Sequence, residues 1–178
     1  MTDTTLDHLR RAAAIKVLIL DVDGVLTDGS LTYGEHGEVT KTFNVLDGLG
    51  IELLQKTGVQ VAIISARKSP VVIRRAADLK IMHVYQGTHD KRVAFADLLA
   101  STGFTAEQCG YIGDDVIDLP LLRKVGFAVT VPSGHPEVQH RAHYVTRAPG
   151  GRGAVREVCD MVMRAQGNYD AALAPYFA

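Results

Sequence analysis

The stretch VLILDVDGVLTDG, Val17 to Gly29, sets a run of apolar, strand-forming residues against two carboxylates spaced i, i+2 and a glycine. A continuous apolar run of this length reads as a strand buried on both faces, as in a parallel sheet. Side chains alternate along a strand, so Asp21 and Asp23 fall on one side if the strand continues to the point where it gives way to a loop. Crowded carboxylates cost free energy unless a proton or a cation lies between them, and open α/β sheets bind ligands beyond the carboxyl ends of their strands. A divalent metal satisfies both conditions, but an isolated Asp-x-Asp-Gly also fits a plain polar turn. The rest of the chain decides between them.

The pattern that follows is one of short apolar runs alternating with amphipathic helical ones. KVLIL, VQVAIIS, HVYQG, CGYIGD and FAVTV read as buried strands, with helices near Gly48 to Lys56, Pro70 to Leu79, Lys91 to Thr102 and Ile117 to Val125. This predicts an α/β fold with a doubly wound, Rossmann-like parallel sheet covered on both faces. SLTYGEHGEVTKTFNV breaks the alternation: two polar/apolar arms around Gly34 to Gly37 predict a β-hairpin flap over about residues 30–45. The 178 residues fit a single domain spanning 1–178, with a C-terminal tail from about residue 167. TRAPGGRGAVREV fits either a loop that offers backbone N–H groups and Arg152 to an anion or a plain connection into a last helix.

The formal net charge of −1, with both signs spread along the chain, leaves no basic field for nucleic acid or an anionic membrane. Cys109 and Cys159 stand apart with no metal or disulfide spacing, which fits buried thiols in a reducing cytoplasm. The acidic start and the short apolar run stopped by Asp21 argue against a signal peptide or a membrane span.

Polar residues interrupt the apolar runs at their carboxyl ends: Asp21 and Asp23 on the first, Ser65 on the second, Asp114 and Asp115 on the fourth, while Lys91 opens the helix after the third. In a parallel sheet these tips share one edge, so the residues converge on one crevice. The set fits phosphoryl transfer. Asp21 attacks phosphorus to form an aspartyl-phosphate, and Asp23 protonates the leaving alkoxide and later deprotonates water. Ser65 and Lys91 bind phosphate oxygens, Asp114 completes a metal shell with Asp21, and the oxygen-only donors suit Mg²⁺.

The order DVDGV, IIS, Lys91, GDDVID resembles the four motifs of the haloacid dehalogenase superfamily of phosphohydrolases. FNVLDGLGI, HVYQGTHDK, YIGDDVIDLP, HPEV and YVTRAPGGRGAVREVCD are similar to its capless sugar-acid phosphatase subfamily nearly end to end. The resemblance implies a Mg²⁺-dependent, cytoplasmic, homotetrameric hydrolase that acts on 3-deoxy-D-manno-octulosonate 8-phosphate in lipopolysaccharide precursor synthesis. It implies a metal held by Asp21, the Asp23 carbonyl and Asp114, with Asp115 and Asp118 in a second layer, and substrate contacts from Asn44 and Asp47. Arg67, expected at the start of the helix after Ser65, suits the substrate carboxylate as a bidentate fork, and Arg152 is the second candidate.

The intervals from Asp23 to Ser65 and from Ser65 to Lys91 have no room for a cap domain, so a neighbouring subunit is expected to cover the crevice. The hairpin arms have no evident partner in the chain and are expected to pair with other copies, and the tail could reach a neighbour through Tyr169 and Phe177. Two other readings compete: a phosphatase for a related nonulosonate 9-phosphate, and a phospho-accepting receiver module, whose acidic pair would be adjacent on the first strand.

Overall fold

The computed structural model describes residues 3–178. In chain order the elements are α1 (Asp3–Ala14), β1 (Val17–Leu20), β2 (Thr32–Gly34), β3 (Gly37–Thr40), α2 (Val45–Lys56), β4 (Gln60–Ser65), α3 (Pro70–Asp78), β5 (His83–Gln86), α4 (Lys91–Thr102), β6 (Cys109–Ile112), α5 (Leu119–Leu122), β7 (Phe127–Thr130), α6 (Pro136–Gln139), β8 (Tyr144–Val145), α7 (Ala154–Ala165) and α8 (Tyr169–Leu173). The main sheet has the order β5-β4-β1-β6-β7-β8, and every pairing in it is parallel.

The four residues of β1 are fully buried because β4 and β6 flank them and helices cover both faces. Period-two alternation sends Leu18 and Leu20 into a core shared with Ile51, Leu54, Val158 and Val162 from α2 and α7. Val17 and Ile19 go into a second core with Phe95, Leu98 and Leu121 from α4 and α5. The chain runs outward from β1 through β4 to β5, then crosses back to β6 on the other side, so the strand order reverses beside β1. Ligands bind at such a switch point, beyond the carboxyl ends of the strands.

The hairpin arms β2 and β3 pair antiparallel as a separate two-stranded sheet. Only that hairpin and α2 separate β1 from β4, and only α3 separates β4 from β5, so neither interval holds a cap.

Several elements depart from expectation. α2 begins at Val45 rather than near Gly48 because Asn44 caps it, accepting a hydrogen bond from the Leu46 N–H at 2.8 Å. The helix expected over Ile117 to Val125 is a 3₁₀ turn at Val116–Asp118 followed by the short α5, with Pro120 in its first turn. α3 starts at Pro70 after Ser69, so Arg67 lies in the preceding loop and not in a helix. Tyr169 packs its ring 3.4 Å from the Arg164 guanidinium, so of the two expected anchors of the tail only Phe177, 83% exposed, stands open.

Candidate active site

Asp21 continues the ladder one residue beyond β1, its N–H donating to the Ile112 carbonyl at 2.9 Å. The chain then turns instead of extending. Val22–Leu26 forms a wide helical turn closed by the Thr27 N–H on the Val22 carbonyl at 3.0 Å. Asp23 therefore leaves the strand line, and Gly24 adopts φ +94°. A Cβ on Gly24 would stand 2.0 Å from Oδ2 of Asp114, so glycine is required both by conformation and by the approach of the β6 loop.

Asp114 and Asp21 meet at this point. One carboxylate oxygen from each of Asp21, Asp114 and Asp118 lies within 4.8 Å of the others. Burial pushes Asp21 up to about 7; Asp118 adds to the rise and Lys91 opposes it. Burial, then the carboxylates of Asp21, Asp118 and Asp115, push Asp114 up to about 7 as well. Carboxylates in this state repel one another and have room for a cation. Their oxygen-only donor set fits a small hard divalent ion.

Asp118 belongs to the cluster in position but not in availability. Its Oδ1 accepts from Lys91 Nζ at 2.5 Å and from the Tyr111 hydroxyl at 2.6 Å, and its Oδ2 accepts from the N–H groups of Asp114 and Asp115 at 2.9 and 3.1 Å. It fixes the loop that carries Asp114 and holds Lys91. Lys91, the first residue of α4, is 1% exposed and also reaches Asp21 Oδ1 at 2.7 Å and the Tyr111 oxygen at 3.0 Å. Burial opposes its charge, but Asp21 and Asp118 outweigh that and hold the ammonium above its ordinary value. Asp115, expected in a second layer about the metal, is exposed and accepts the Val116 N–H at 2.7 Å as a cap of its own turn.

Ser65 ends β4 with 3% exposure, its Oγ accepting from the Arg67 N–H at 3.3 Å. Asp23 lies between two cations: Lys41 Nζ donates to its Oδ1, and Arg67 Nε is 3.8 Å from its Oδ2. Arg67 also donates to the Tyr33 hydroxyl at 2.9 Å, which ties it to the hairpin.

The remaining substrate candidates are placed differently. Asp47, 1% exposed, accepts from the N–H groups of Gly153 at 3.3 Å and Arg156 at 2.8 Å. It caps α7 from another element and does not face a substrate. Asn44 is likewise occupied as the cap of α2. The glycine-rich loop forms no anion nest: the Gly151 N–H donates to the Val25 carbonyl at 2.9 Å, and a Cβ on Gly150 would meet the Gly24 carbonyl oxygen at 1.8 Å. The loop is packed on the Asp23 turn, with Arg152 exposed 4.0 Å from Asp28.

Sequence reasoning missed Lys41 and Tyr111. Lys41 reads as one more exposed hairpin cation, and Tyr111 as one more apolar residue of a core strand. A cavity lined by Glu52, Gln55, Asp78 and Lys80 lies at the opposite, amino edge of the sheet, away from these groups.

A family model described as haloacid dehalogenase-like hydrolase matches residues 76–156. The 3-deoxy-D-manno-octulosonate 8-phosphate phosphatase of Escherichia coli is 50% identical over 166 residues, covering 93% of this chain and 88% of that protein. The crystal structure of the Yersinia pestis 3-deoxy-D-manno-octulosonate 8-phosphate phosphatase matches with TM-score 0.90 at 49% identity, covering 92% of this chain and 89% of that one. That of the Moraxella catarrhalis enzyme, solved with magnesium ion, phosphate ion and KDO, matches with TM-score 0.91 at 43% identity, covering 94% and 97%. These relatives favour neither the nonulosonate phosphatase nor the receiver reading. With half of its residues shared across nearly the full length of such an enzyme, and the same fold, this chain belongs to the 3-deoxy-D-manno-octulosonate 8-phosphate phosphatase family of haloacid dehalogenase-like hydrolases.

Proposed function

We propose that this chain is a Mg²⁺-dependent phosphoric monoester hydrolase that converts 3-deoxy-D-manno-octulosonate 8-phosphate to the free sugar acid and phosphate, a step of lipopolysaccharide precursor synthesis. The observation that carries this reading is the convergence of Asp21, Asp114 and Lys91 at the switch point of the sheet, in a chain half identical to such phosphatases. Asp21, the Asp23 carbonyl and Asp114 would hold Mg²⁺, which when bound offsets the charge of the transferring phosphoryl group.

With Oδ1 of Asp21 held by Lys91, its Oδ2 is the nucleophile. The bond from Oδ2 to phosphorus forms as the phosphorus–sugar oxygen bond breaks, and Asp23 gives that oxygen a proton. Asp23 then takes a proton from water as the water oxygen bonds to phosphorus, releasing phosphate and restoring the Asp21 carboxylate. Ser65 and the Lys91 charge steady the phosphate oxygens. Arg67, 41% exposed on its side chain at the mouth of the site, receives the sugar-acid carboxylate, with Arg152 as the second cation.

We further infer a cytoplasmic homotetramer joined through the hairpin, whose Leu31 and Tyr33 are 40% and 61% exposed beside Val45 and Leu46 at 79% and 54%. Among the described residues no helix is long and apolar enough to cross a membrane, and both cysteines are buried and unbridged. Phosphate release from a panel of sugar-acid and neutral sugar phosphates, with Mg²⁺ and with excess chelator, tests the activity. Preference for neutral hexose phosphates, or full turnover in chelator, would refute it. Asp21→Asn is expected to lose turnover while keeping the fold, and light scattering tests the tetramer.

A further inference from the structure

We propose that Lys41 is a positioning residue for the acid/base Asp23, so that the hairpin is a working part of the active site and not only a surface for contacts. Lys41 follows the last residue of β3 directly. Most of the hairpin around it is open, with Tyr33 at 61% exposure, yet the Lys41 side chain is 1% exposed and its ammonium donates to Asp23 Oδ1 across 18 positions of sequence. An ammonium at that depth is stable only when paired, so the contact fixes both side chains.

The pairing selects an oxygen. With Oδ1 held by Lys41, Oδ2 of Asp23 is the atom left to exchange the proton, facing Arg67 Nε at 3.8 Å. Arg67 is itself held by the Tyr33 hydroxyl, so both flanks of Asp23 are braced by the hairpin. In the first half-reaction the proton on Oδ2 passes to the bridging oxygen as its bond to phosphorus breaks. In the second, Oδ2 takes the proton of the water whose oxygen bonds to phosphorus while the Asp21–phosphorus bond breaks. A carboxylate free to swing would present Oδ2 only part of the time, in both steps. The inference rests on the phosphatase reading above and adds to it the residue that orders its proton transfers.

The two half-reactions separate the roles. para-Nitrophenolate leaves without a proton, so attack on para-nitrophenyl phosphate does not need Asp23, whereas breakdown of the aspartyl-phosphate does. In rapid mixing, Lys41→Met is expected to give a burst of nitrophenolate at the wild-type rate, then a steady state slowed about 10- to 100-fold, within the usual range of general acid–base contributions. With 3-deoxy-D-manno-octulosonate 8-phosphate, single-turnover cleavage of the ester itself slows by about the same factor. Lys41→Arg restores most of both rates. The burst amplitude counts folded sites, so rates per site are compared and loss of stability does not enter. The inference is overturned if Lys41→Met matches wild type in both phases, or if it slows both phases of the nitrophenyl ester equally, as a purely structural residue would. Failure of the wild-type protein to release phosphate from either ester would strike the phosphatase reading instead.

Discussion

Gly24→Ala tests the geometry that joins the two halves of the proposed metal site. The substitution has two effects, and the fold supplies a control that separates them. Gly24 sits at φ +94°, where any L side chain is strained, and its Cβ would fall 2.0 Å from Asp114 Oδ2. Gly58, at the end of α2, has φ +92° with nothing within 4 Å of its Cβ position. Gly58→Ala therefore measures the backbone cost alone, about 1 to 2 kcal/mol. Gly24→Ala adds a contact that only a retreat of the Asp114 carboxylate by more than about 1 Å can relieve, since carbon and oxygen rest well beyond 3 Å apart. A metal ligand tolerates only about 0.2 Å of displacement. Titration calorimetry with Mg²⁺ should accordingly find Gly24→Ala weakened by about 100-fold or more, with phosphate release falling in step, against no change in Gly58→Ala. The reasoning fails if Gly24→Ala binds Mg²⁺ as tightly as Gly58→Ala does.

Other perturbations probe the framework. Asp118→Ala removes the oxygen that takes two hydrogen bonds from the buried Lys91–Tyr111 pair and the oxygen that takes two from the Asp114 loop, and should cost about 3 kcal/mol in urea unfolding while abolishing turnover. Asp47→Ala should cost about 2 kcal/mol, or about 4 to 8 °C in a thermal melt, and leave KM for the sugar-acid phosphate unchanged; a raised KM with unaltered stability would restore Asp47 to the substrate site. His143 accepts the Ala128 N–H on Nδ1 at 2.9 Å, and burial, then the nearby Arg11, hold it below its ordinary 6.5. The unfolded chain thus binds this proton first, so urea midpoints should fall as pH drops below 6.5, and His143→Gln should flatten the slope between about pH 7 and 5.5.

The sheet was readable because its strands lie in a parallel interior. Burial on both faces turns β1, β4, β6 and β7 into continuous apolar runs, and the polar residues that end them stand out. β8 gave no such signal, having two residues, Tyr144 half-buried and Val145 exposed at the sheet edge. Asp21, Ser65, Lys91 and Asp114 were legible by type and place, since a strand tip fixes where a side chain goes. The residues that were missed or misplaced owe their surroundings to distant chain. Asp47 meets Gly153 across 106 positions, and Lys91 meets Tyr111 inside the core. Nothing local distinguishes a carboxylate that caps a remote helix from one that faces a ligand.

Asp21 and Asp23 are the same residue type two positions apart, yet the fold gives them opposite electrostatic company. The ladder keeps Asp21 in the buried cluster, where Asp114 and Asp118 crowd it and Lys91 is the near cation, a setting that favours a bound metal and a fixed nucleophile. The turn at Gly24 moves Asp23 out to a partly exposed position with a cation on each side. If β1 ran on as an ordinary strand, both would share one environment and compete for one role. The wide turn, closed by Thr27 and made possible by Gly24, is what separates them. The cations beside the outer carboxylate come from the hairpin end and the β4–α3 loop of the same chain, through Lys41 and Arg67. The hairpin thus does in this protein part of what a second domain would otherwise do: through Lys41 it holds the carboxylate of Asp23, the proposed acid/base, in place.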